Sequence, residues 1–319
     1  MLDIGRKGWV GLAFESTYGV PETIDDYVPF INNSLRGVQE ALANEAAYGI
    51  REKVFNSVGG KRWGEGELEV NLDSQLSGYL IGGALGTVNT ATVSGAVKDH
   101  TITRNNSSVP KSLTVVNDRS VDRQYFPGMA VAELEINVSD ELATAKASLL
   151  GKFSQTTTSG TLSTASGGLY SFKDSFFAFG STVAAAAAES NLKPSEVTLT
   201  INNNSEVVHR HGSADADTVN HKEFEVEAEG TLFFENTTLR DQYYNVSKRA
   251  AVWKLEGGGL AGGYRDAITT NMYQVRVDSH ELETGLDDFF AEKFTLVLEY
   301  DNANSKSIDM VIRNAKASY

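Results

Sequence analysis

Two stretches of this chain carry the same pattern of a strand, a turn and a helix. They are residues 66–80, GELEVNLDSQLSGYL, and residues 230–244, GTLFFENTTLRDQYY. The second stretch lies 164 residues after the first (230 − 66). Each begins with alternating apolar side chains, which predict a strand, and then changes to the apolar spacing of a helix.

A second pair of matching segments lies downstream at nearly the same shift. Residues 136–149, INVSDELATAKASL, match residues 298–311, LEYDNANSKSIDMV, at a shift of 162 residues (298 − 136). Two matches at nearly one shift indicate that a unit of half the chain is duplicated. This repeat is much longer than the 20–50 residues or so of a solenoid repeat, so the duplicated unit is a domain. We therefore predict two tandem domains, residues 1–153 and 169–319.

Residues 154–168, SQTTTSGTLSTASGG, lie between the predicted domains and consist almost entirely of Ser, Thr and Gly. Such a composition buries little apolar area, so it predicts an interdomain linker or a long exposed hairpin.

Composition narrows the class of protein. A chain of 319 residues has room for about two domains with their own cores. It contains no cysteine, which excludes disulfides and thiolate metal sites. Its net charge of −14 argues against a surface that grips nucleic acid through phosphates, but not against one past which nucleic acid slides. We see no signal peptide and no apolar run that could cross a bilayer.

Period-two alternation dominates the sequence and predicts antiparallel sheets with one packed face and one wet face. In residues 132–138, for example, Leu134 and Ile136 share one face while Glu133 and Glu135 share the other. Each repeat has one principal helix: Leu76, Leu80 and Ala84 form an apolar stripe in the first. The expected fold is mainly β, with two tandem β-sandwich or barrel domains, each flanked by one α-helix.

A long insertion, residues 34–62, precedes the strand of the first repeat. Its segment GVQEALANEAAYG predicts a short helix, and Gly59 and Gly60 predict a hairpin turn. The equivalent region of the second repeat, residues 203–222, is shorter and polar. Loops of this length inside a compact domain are usually functional or disordered.

Alternating glutamates form the sharpest chemical pattern. They fall on one face of each predicted strand, as a first run of Glu65, Glu67 and Glu69 and a second run of Glu223, Glu225, Glu227 and Glu229. Like charges so close together cost about 1 kcal/mol per pair in water and more where solvent is restricted. The pattern fits either a deliberately anionic surface, such as a channel wall, or an ordinary solvated face.

Other chemical patterns are weaker. The short carboxylate spacing of a retaining glycosidase is met by any residues i and i+2 of a strand, so it carries little information. His209, His211 and His221 lie among Ser, Ala and Asp residues typical of a hydrated loop, and the pattern favours that loop over a metal site. The GxGxxG within residues 257–263 leads into a strand, not a helix, which excludes a dinucleotide-binding motif. We expect no catalytic activity, no metal and no cofactor.

Several segments in order resemble the tail tube proteins of long-tailed bacteriophages. They are GRKGWVGLAFESTYGVPE near the N-terminus, WGEGELEVNLDSQLSGYLIGGALG at residues 63–86, HTIT at residues 100–103 and PKSLTVV at residues 110–116. The resemblance covers the first half and continues more weakly to the end. It implies a structural virion protein, assembled in the host cytoplasm, whose units stack as rings around a lumen that DNA traverses during ejection.

The resemblance also implies roles for particular residues. The strands with Glu65, Glu67, Glu69 and Glu223 to Glu229 would line the lumen, without binding DNA specifically. Residues 34–62 would match the loop that reaches the adjacent ring, with residues 203–222 as its counterpart. The contact candidates in that loop are Arg36, Tyr48, Arg51, Lys53 and Phe55.

Two tube domains per chain would let three chains form a pseudo-hexameric ring. A hexamer in which one half lines the lumen and the other decorates the outside is the competing arrangement. We also expect this protein to contact other tail proteins and not to contact a membrane. The alternative function is a carbohydrate-binding or adhesive β-sandwich on a virion or cell surface, which would present exposed aromatic platforms.

Overall fold

The computed structural model describes residues 5–24, 26–156, 167–283 and 289–319. Three helices are present in these ranges: α1 (Ser77–Leu85), α2 (Val183–Ala188) and α3 (Thr238–Tyr244). The strands before residue 157 are β1 (Trp9–Phe14), β2 (Asp26–Val28), β3 (Asn32–Asn33), β4 (Arg36–Asn44), β5 (Asn56–Asn71), β6 (Gly86–Ser94), β7 (Val97–Arg104), β8 (Leu113–Asp118), β9 (Arg123–Val138), β10 (Thr144–Gly151) and β11 (Gln155–Thr156). The strands after residue 166 are β12 (Ser175–Gly180), β13 (Glu196–Asn202), β14 (Glu206–Val208), β15 (Thr218–Asn220), β16 (Glu225–Phe233), β17 (Lys248–Gly259), β18 (Arg265–Glu283), β19 (Ala291–Leu298) and β20 (Ile308–Asn314).

The fold is mainly β and antiparallel, as predicted, and is that of a β-sandwich protein. Alternation of buried and exposed residues accounts for the layers: in β13, Val197, Leu199 and Ile201 are buried while the threonines between them are half-buried. Apolar side chains of the two layers meet in a core whose largest members include Trp253, Tyr79 and Phe126. The helices pack against the strands and cover parts of this core.

One sheet runs without interruption through both halves of the chain. Its strand order is β5, β10, β9, β13, β16, β19 and β18, and each neighbouring pair is antiparallel. Within this sheet the halves are joined by the pairing of β9 with β13, in which Leu134 lies opposite Ile201. Elsewhere, β20 of the second half also pairs with β7 of the first. We call this strand set the continuous sheet.

The long strands β9 and β18 each take part in a second set of pairings. The beginning of β9 pairs with β8, which pairs with β1. The beginning of β18 pairs with β17, which pairs with β12. The two halves therefore repeat the same pairings in the same chain order. The strand triplets β5–β10–β9 and β16–β19–β18 correspond to each other, and α1 and α3 follow the first strand of each triplet.

Each end of the continuous sheet has an edge without a partner strand among the described residues. At one end, β3 and β4 pair only with β5. At the other, residues 277–283 of β18 pair only with β19, because the pairing with β17 stops at Arg276. Open strand edges are templates for pairing with another chain.

The two halves differ in the surroundings of their principal helices. Every residue of α1 is buried, and the ring of Tyr319 packs edge-on against Tyr79 of this helix. In α3 only Leu239 and Gln242 are buried. The second half also contains α2, so the prediction of one helix per half was incomplete.

The structure corrects the prediction for residues 34–62. The segment expected to be a short helix forms β4, and Gly59 and Gly60 lie inside β5 instead of at a turn. Pairing of β4 with β5 satisfies the backbone groups of a segment that has no apolar helical face to bury, and helix propensity alone is a weak preference. The turn of this hairpin falls at residues 45–55.

Both ends of the predicted linker lie on the first half of the chain. Gln155 pairs with Tyr125 of β9, and Gly168 exchanges hydrogen bonds of 3.0 Å with Ser74 through its own N–H and C=O. The middle of the linker, residues 157–166, lies outside the described residues. The C-terminal end of the predicted linker is therefore packed beside the start of α1.

Gly66 sets the conformation of β5 between two glutamates of the acidic pattern. A Cβ atom at this position would lie 2.6 Å from the backbone nitrogen of Leu35 and 2.8 Å from the carbonyl carbon of Ser34. We expect Gly66→Ala to lower the free energy of unfolding by about 2–3 kcal/mol, because backbone atoms cannot yield as a side chain can. Chemical denaturation of the unassembled chain measures this. Gly259→Ala is the control, since no atom lies within 4 Å of that Cβ, and an equal loss in both variants would contradict the prediction.

Candidate functional site

The two glutamate runs lie on one face of the continuous sheet. Glu225, Glu227 and Glu229 are exposed, while Val226 and Ala228 between them and Gly230 after them are buried. In β5, Glu65, Glu67 and Glu69 are half-buried, opposite the buried Leu68 and Val70. Glu223 is exposed but precedes β16, which begins at Glu225, so the predicted strand was two residues too long.

Strand register brings the two runs into common rows across the sheet. One row passes from Glu69 through Lys146, Glu135 and Thr200 to Glu227. A second row passes from Glu67 through Ser148, Glu133 and Asn202 to Glu225. Glu133 and Glu135 were recognised as the wet face of a strand, but their position between the two runs depends on long-range pairing. We call this surface, with its glutamates, the acidic face.

The basic side chains that form ion pairs with the two glutamate runs belong to the first half of the chain. Lys146 Nζ lies 3.1 Å from Glu67 Oε1, and this hydrogen bond raises the pKa of Lys146. Arg36 Nη2 lies 3.2 Å from Glu65 Oε1, and the indole N–H of Trp63 donates to Glu65 Oε2 at 2.8 Å. These contacts are largely solvent-exposed, so each contributes at most about 1 kcal/mol.

The second glutamate run has neutral cross-strand partners. Asn202 lies opposite Glu225, and Glu229 lies between Thr198 and Thr295. Glu227 lies between Thr200 and Val297. No basic side chain therefore lies directly opposite these carboxylates in β13 or β19. Their negative charges can interact with solvent or with an external group.

The hairpin of β4 and β5 projects beyond the continuous sheet. Pairing of β10 with β5 stops at Gly64, whereas β5 continues back to Asn56 beside β4. Eight strand residues past that point extend about 25 Å at the usual rise per residue. We call residues 36–63 the projecting hairpin.

Apolar side chains are unusually exposed on the projecting hairpin. The aromatic rings of Tyr48 and Phe55 stack with centroids 3.9 Å apart, and each residue is about half exposed. Lys53 reaches Glu45 at 3.3 Å, and Arg51 is exposed. The other exposed apolar residues of the hairpin are Leu42, Ile50, Val54 and Val58. Exposed apolar surface of this kind typically marks an interaction site.

Residues 203–222 form a second, shorter hairpin of β14 and β15, which packs within the chain. Arg62 and Asp215 form an ion pair with Nη2 and Oδ2 2.9 Å apart, and Ala216 N–H donates to Arg62 O at 3.1 Å. Val219 N–H donates to the hydroxyl of Tyr18 at 2.8 Å, and burial raises the pKa of Tyr18 to about 12. This hairpin is thereby held against the base of the projecting hairpin.

The three histidines of this region have separate surroundings. His209 packs beside Trp63, with ring centroids 6.0 Å apart, and His221 Nδ1 lies 2.7 Å from Ser205 Oγ. Within the described ranges, no group of three or more potential metal-ligating side chains occurs.

His221 is expected to make stability depend on pH. It lines a cavity of about 90 Å³ together with Arg104, Lys111 and Lys222, and burial lowers its pKa from 6.5 to about 4. The unfolded chain therefore binds the proton more readily, so the stability that the neutral imidazole contributes is present above pH 6.5 and is lost as the pH falls towards 4. With allowance for solvent screening, we expect a loss of about 1–2 kcal/mol.

Urea denaturation at pH 7 and at pH 4 measures this loss. The control is His221→Gln, which cannot titrate and should lose less stability over the same interval. An identical pH dependence in both chains would contradict the role of His221.

A mainly antiparallel β chain with a continuous acidic sheet face and open sheet edges is typical of a structural protein that contacts other chains. Comparison with protein families supports this class: a family model described as phage tail tube protein matches residues 5–281. The chain therefore belongs to the phage tail tube protein family, and its role is structural, in the tail of the virion. Membership in this family implies self-assembly and contact with other tail proteins.

The comparison with curated proteins found no significant match. None of the helices in the described ranges is long and apolar enough to span a bilayer.

Proposed function

We propose that this protein polymerises as stacked rings whose inner wall is the acidic face, and that viral DNA passes along this wall during ejection. The observation that carries the proposal is the continuity of the acidic face across both halves, from Glu67 and Glu69 to Glu225 and Glu227. A wall of carboxylates releases no counterions from DNA and repels its phosphates, so the polyanion does not adhere.

We infer that the chain is a duplication, with tube domains at residues 1–153 and 169–319 and a linker at residues 154–168. Support comes from the repeated pairings, since the strand triplets of the two halves join in the same order. Three chains then supply six tube domains, and the ring is a pseudo-hexameric trimer.

Ring closure uses the two open edges of the continuous sheet. The internal join of β9 with β13 is the template for the join between chains, which pairs residues 277–283 of one chain with β4 of the next. The shift of 164 residues matches Arg62 with Val226 and Leu68 with Leu232. Arg62 pairs with Gln39 and Val226 pairs with Ile201, so Gln39 takes the place of Ile201. Leu68 lies in one row with Leu134, and Leu232 lies in one row with Leu282, so Leu282 takes the place of Leu134.

The projecting hairpin reaches the adjacent ring. Tyr48 and Phe55 supply apolar contact, and Arg51 and Lys53 supply charge at the tip, with Arg36 at the base. A contact between unlike surfaces does not close on itself, so it propagates as a filament. Assembly takes place in the host cytoplasm, and the finished tube resides in the virion tail without contact with a membrane.

Electron microscopy of the purified chain, alone and with tail initiator proteins, tests the proposed function. We expect hollow tubes of stacked rings. A chain that stays monomeric under both conditions would overturn the proposal.

Engineered disulfides test the ring join and its stoichiometry. The natural chain has no cysteine, so Gln39→Cys with Leu282→Cys introduces the only thiols. Oxidation should link chains through the ring join, and the ladder of linked species on a denaturing gel should stop at three chains. A ladder that stops at six would support the hexamer, and absence of linkage in assembled tubes would exclude this edge pairing. Each single-cysteine variant is the control.

A further inference from the structure

The second half of the chain presents an aromatic cluster at the end of the continuous sheet opposite the projecting hairpin. Because all pairings in this sheet are antiparallel, β5, β9 and β16 run in the same direction. Their last residues, Asn71, Val138 and Phe233, therefore lie at one end of the sheet. The projecting hairpin precedes Gly64 in β5 and so extends from the other end.

We call this cluster the rim patch; it consists of Phe233, Phe289 and Phe290. Their exposed fractions are 58%, 79% and 55%. The rings of Phe233 and Phe289 meet edge to face with centroids 5.9 Å apart, and Phe234 N–H donates to Phe290 O at 2.9 Å. Backbone and ring contacts thus hold the cluster together while leaving a large aromatic area in solvent, which is typical of an interaction site.

The charges of the two ends are complementary. Residues 36–63 carry five basic and three acidic side chains, in a chain whose net charge is −14. Around the rim patch, Glu235, Glu281 and Glu283 are exposed. Lys293 pairs with Glu283, which leaves Glu235 and Glu281 as the negative groups beside the patch, whereas residues 36–63 carry two more basic than acidic side chains.

We propose that the rim patch receives the projecting hairpin of a second copy of this chain in the neighbouring ring, with Tyr48 and Phe55 packed against Phe233 and Phe290. This inference rests on the proposed function, which supplies the stacked rings. One chain offers the hairpin at one end and the patch at the other, so each copy is donor to one neighbour and acceptor from the next. Aromatic anchors that are desolvated on binding carry most of the energy of such contacts.

A second apolar cluster at the same end of the sheet provides the competing receptor. It comprises Leu142, Leu169 and Phe172, which are 43%, 49% and 57% exposed. It has one aromatic ring where the rim patch has three, and is therefore the poorer partner for a stacked aromatic pair.

Disulfide trapping in assembled tubes tests the assignment. The variant with Val54→Cys and Phe289→Cys keeps the four rings that are proposed to pack, because both positions are exposed neighbours of them. On oxidation it should form a ladder of linked chains that continues past six, because a head-to-tail contact between rings does not close. Val54→Cys with Leu142→Cys is the matched alternative and should give at least tenfold less linked material. Val54→Cys alone should give none beyond dimers.

The outcomes separate the inference from the proposed function. Tubes that link through residue 142 but not through residue 289 would overturn the rim patch and leave the tube intact. Tubes that link through neither pair would also overturn it, whereas a chain that never forms tubes would remove the stacked rings on which both depend.

A pair of serine variants gives an independent readout. Phe233→Ser with Phe290→Ser should leave single rings in electron micrographs and reduce the fraction of chain in tubes at least tenfold. Leu142→Ser with Phe172→Ser should assemble as the natural chain does. The reverse pattern would overturn the proposal.

Discussion

Tubes built from the variant with Glu225→Lys and Glu227→Lys are expected to form normally but to release DNA at least tenfold more slowly at low salt. Both side chains face solvent and have neutral cross-strand partners, so their replacement breaks no ion pair. In the proposed ring, lysines on this wall would bind phosphates and displace counterions, and added salt should weaken that binding steeply. The rate of DNA release from particles, measured at two salt concentrations, gives the result.

The matched control changes the net charge equally but away from the acidic face. Glu189 and Asp122 are exposed and lie outside the continuous sheet, so Glu189→Lys with Asp122→Lys should leave the rate of release unchanged. Equal rates for the two variants and the natural particle would remove the second glutamate run from the lumen wall.

His280→Leu is expected to cost the folded chain about 2–4 kcal/mol. His280 Nε2 lies 2.6 Å from Glu292 Oε1, and their side chains are only 8% and 5% exposed. Leucine fills a similar volume but leaves the Glu292 carboxyl group buried without its hydrogen-bond partner. Removing one partner of a buried pair destabilises a protein more than replacing both partners by apolar side chains. Urea denaturation of the unassembled chain measures the loss.

The same two strands offer an exposed pair for comparison. Lys293 Nζ lies 2.7 Å from Glu283 Oε1, with side chains 50% and 56% exposed, so Lys293→Ala should cost far less stability than His280→Leu. Replacing both His280 and Glu292 by leucine should recover much of the stability lost in the single variant. A loss from Lys293→Ala as large as that from His280→Leu would contradict this account.

Local patterns in the sequence were enough to predict several elements and the faces they bury. Alternation in residues 132–138 predicted a strand with Leu134 and Ile136 on its packed face, and both are buried in β9. The stripe of Leu76, Leu80 and Ala84 predicted the helix that the structure shows as α1. The alternating glutamates correctly placed Glu225, Glu227 and Glu229 on one exposed face. Each of these features depends on residues a few positions apart, which is why the sequence reveals them.

Features that depend on distant partners were missed or wrong. The Ala-containing segment of β4 reads locally as a helix but becomes a strand because β5 pairs with it along its length. The placement of Glu133 and Glu135 between the two glutamate runs follows from pairings with β10 and β13. The sequence of α2, VAAAAA, contains no alternation of polar and apolar residues that would predict a helix. Only the Thr182 side chain, which accepts a hydrogen bond from Ala185 N–H, marks its start.

The pairing of β9 with β13 has a kinetic consequence. In a ring of three such chains, half of the seams between tube domains are made during the folding of a single polypeptide, before any encounter between molecules. Tethered strands find each other at a high effective concentration, and their association costs no loss of translational freedom. Each new tier of the tail then requires three arrivals instead of six, so a growing end spends less time as an incomplete, aggregation-prone arc.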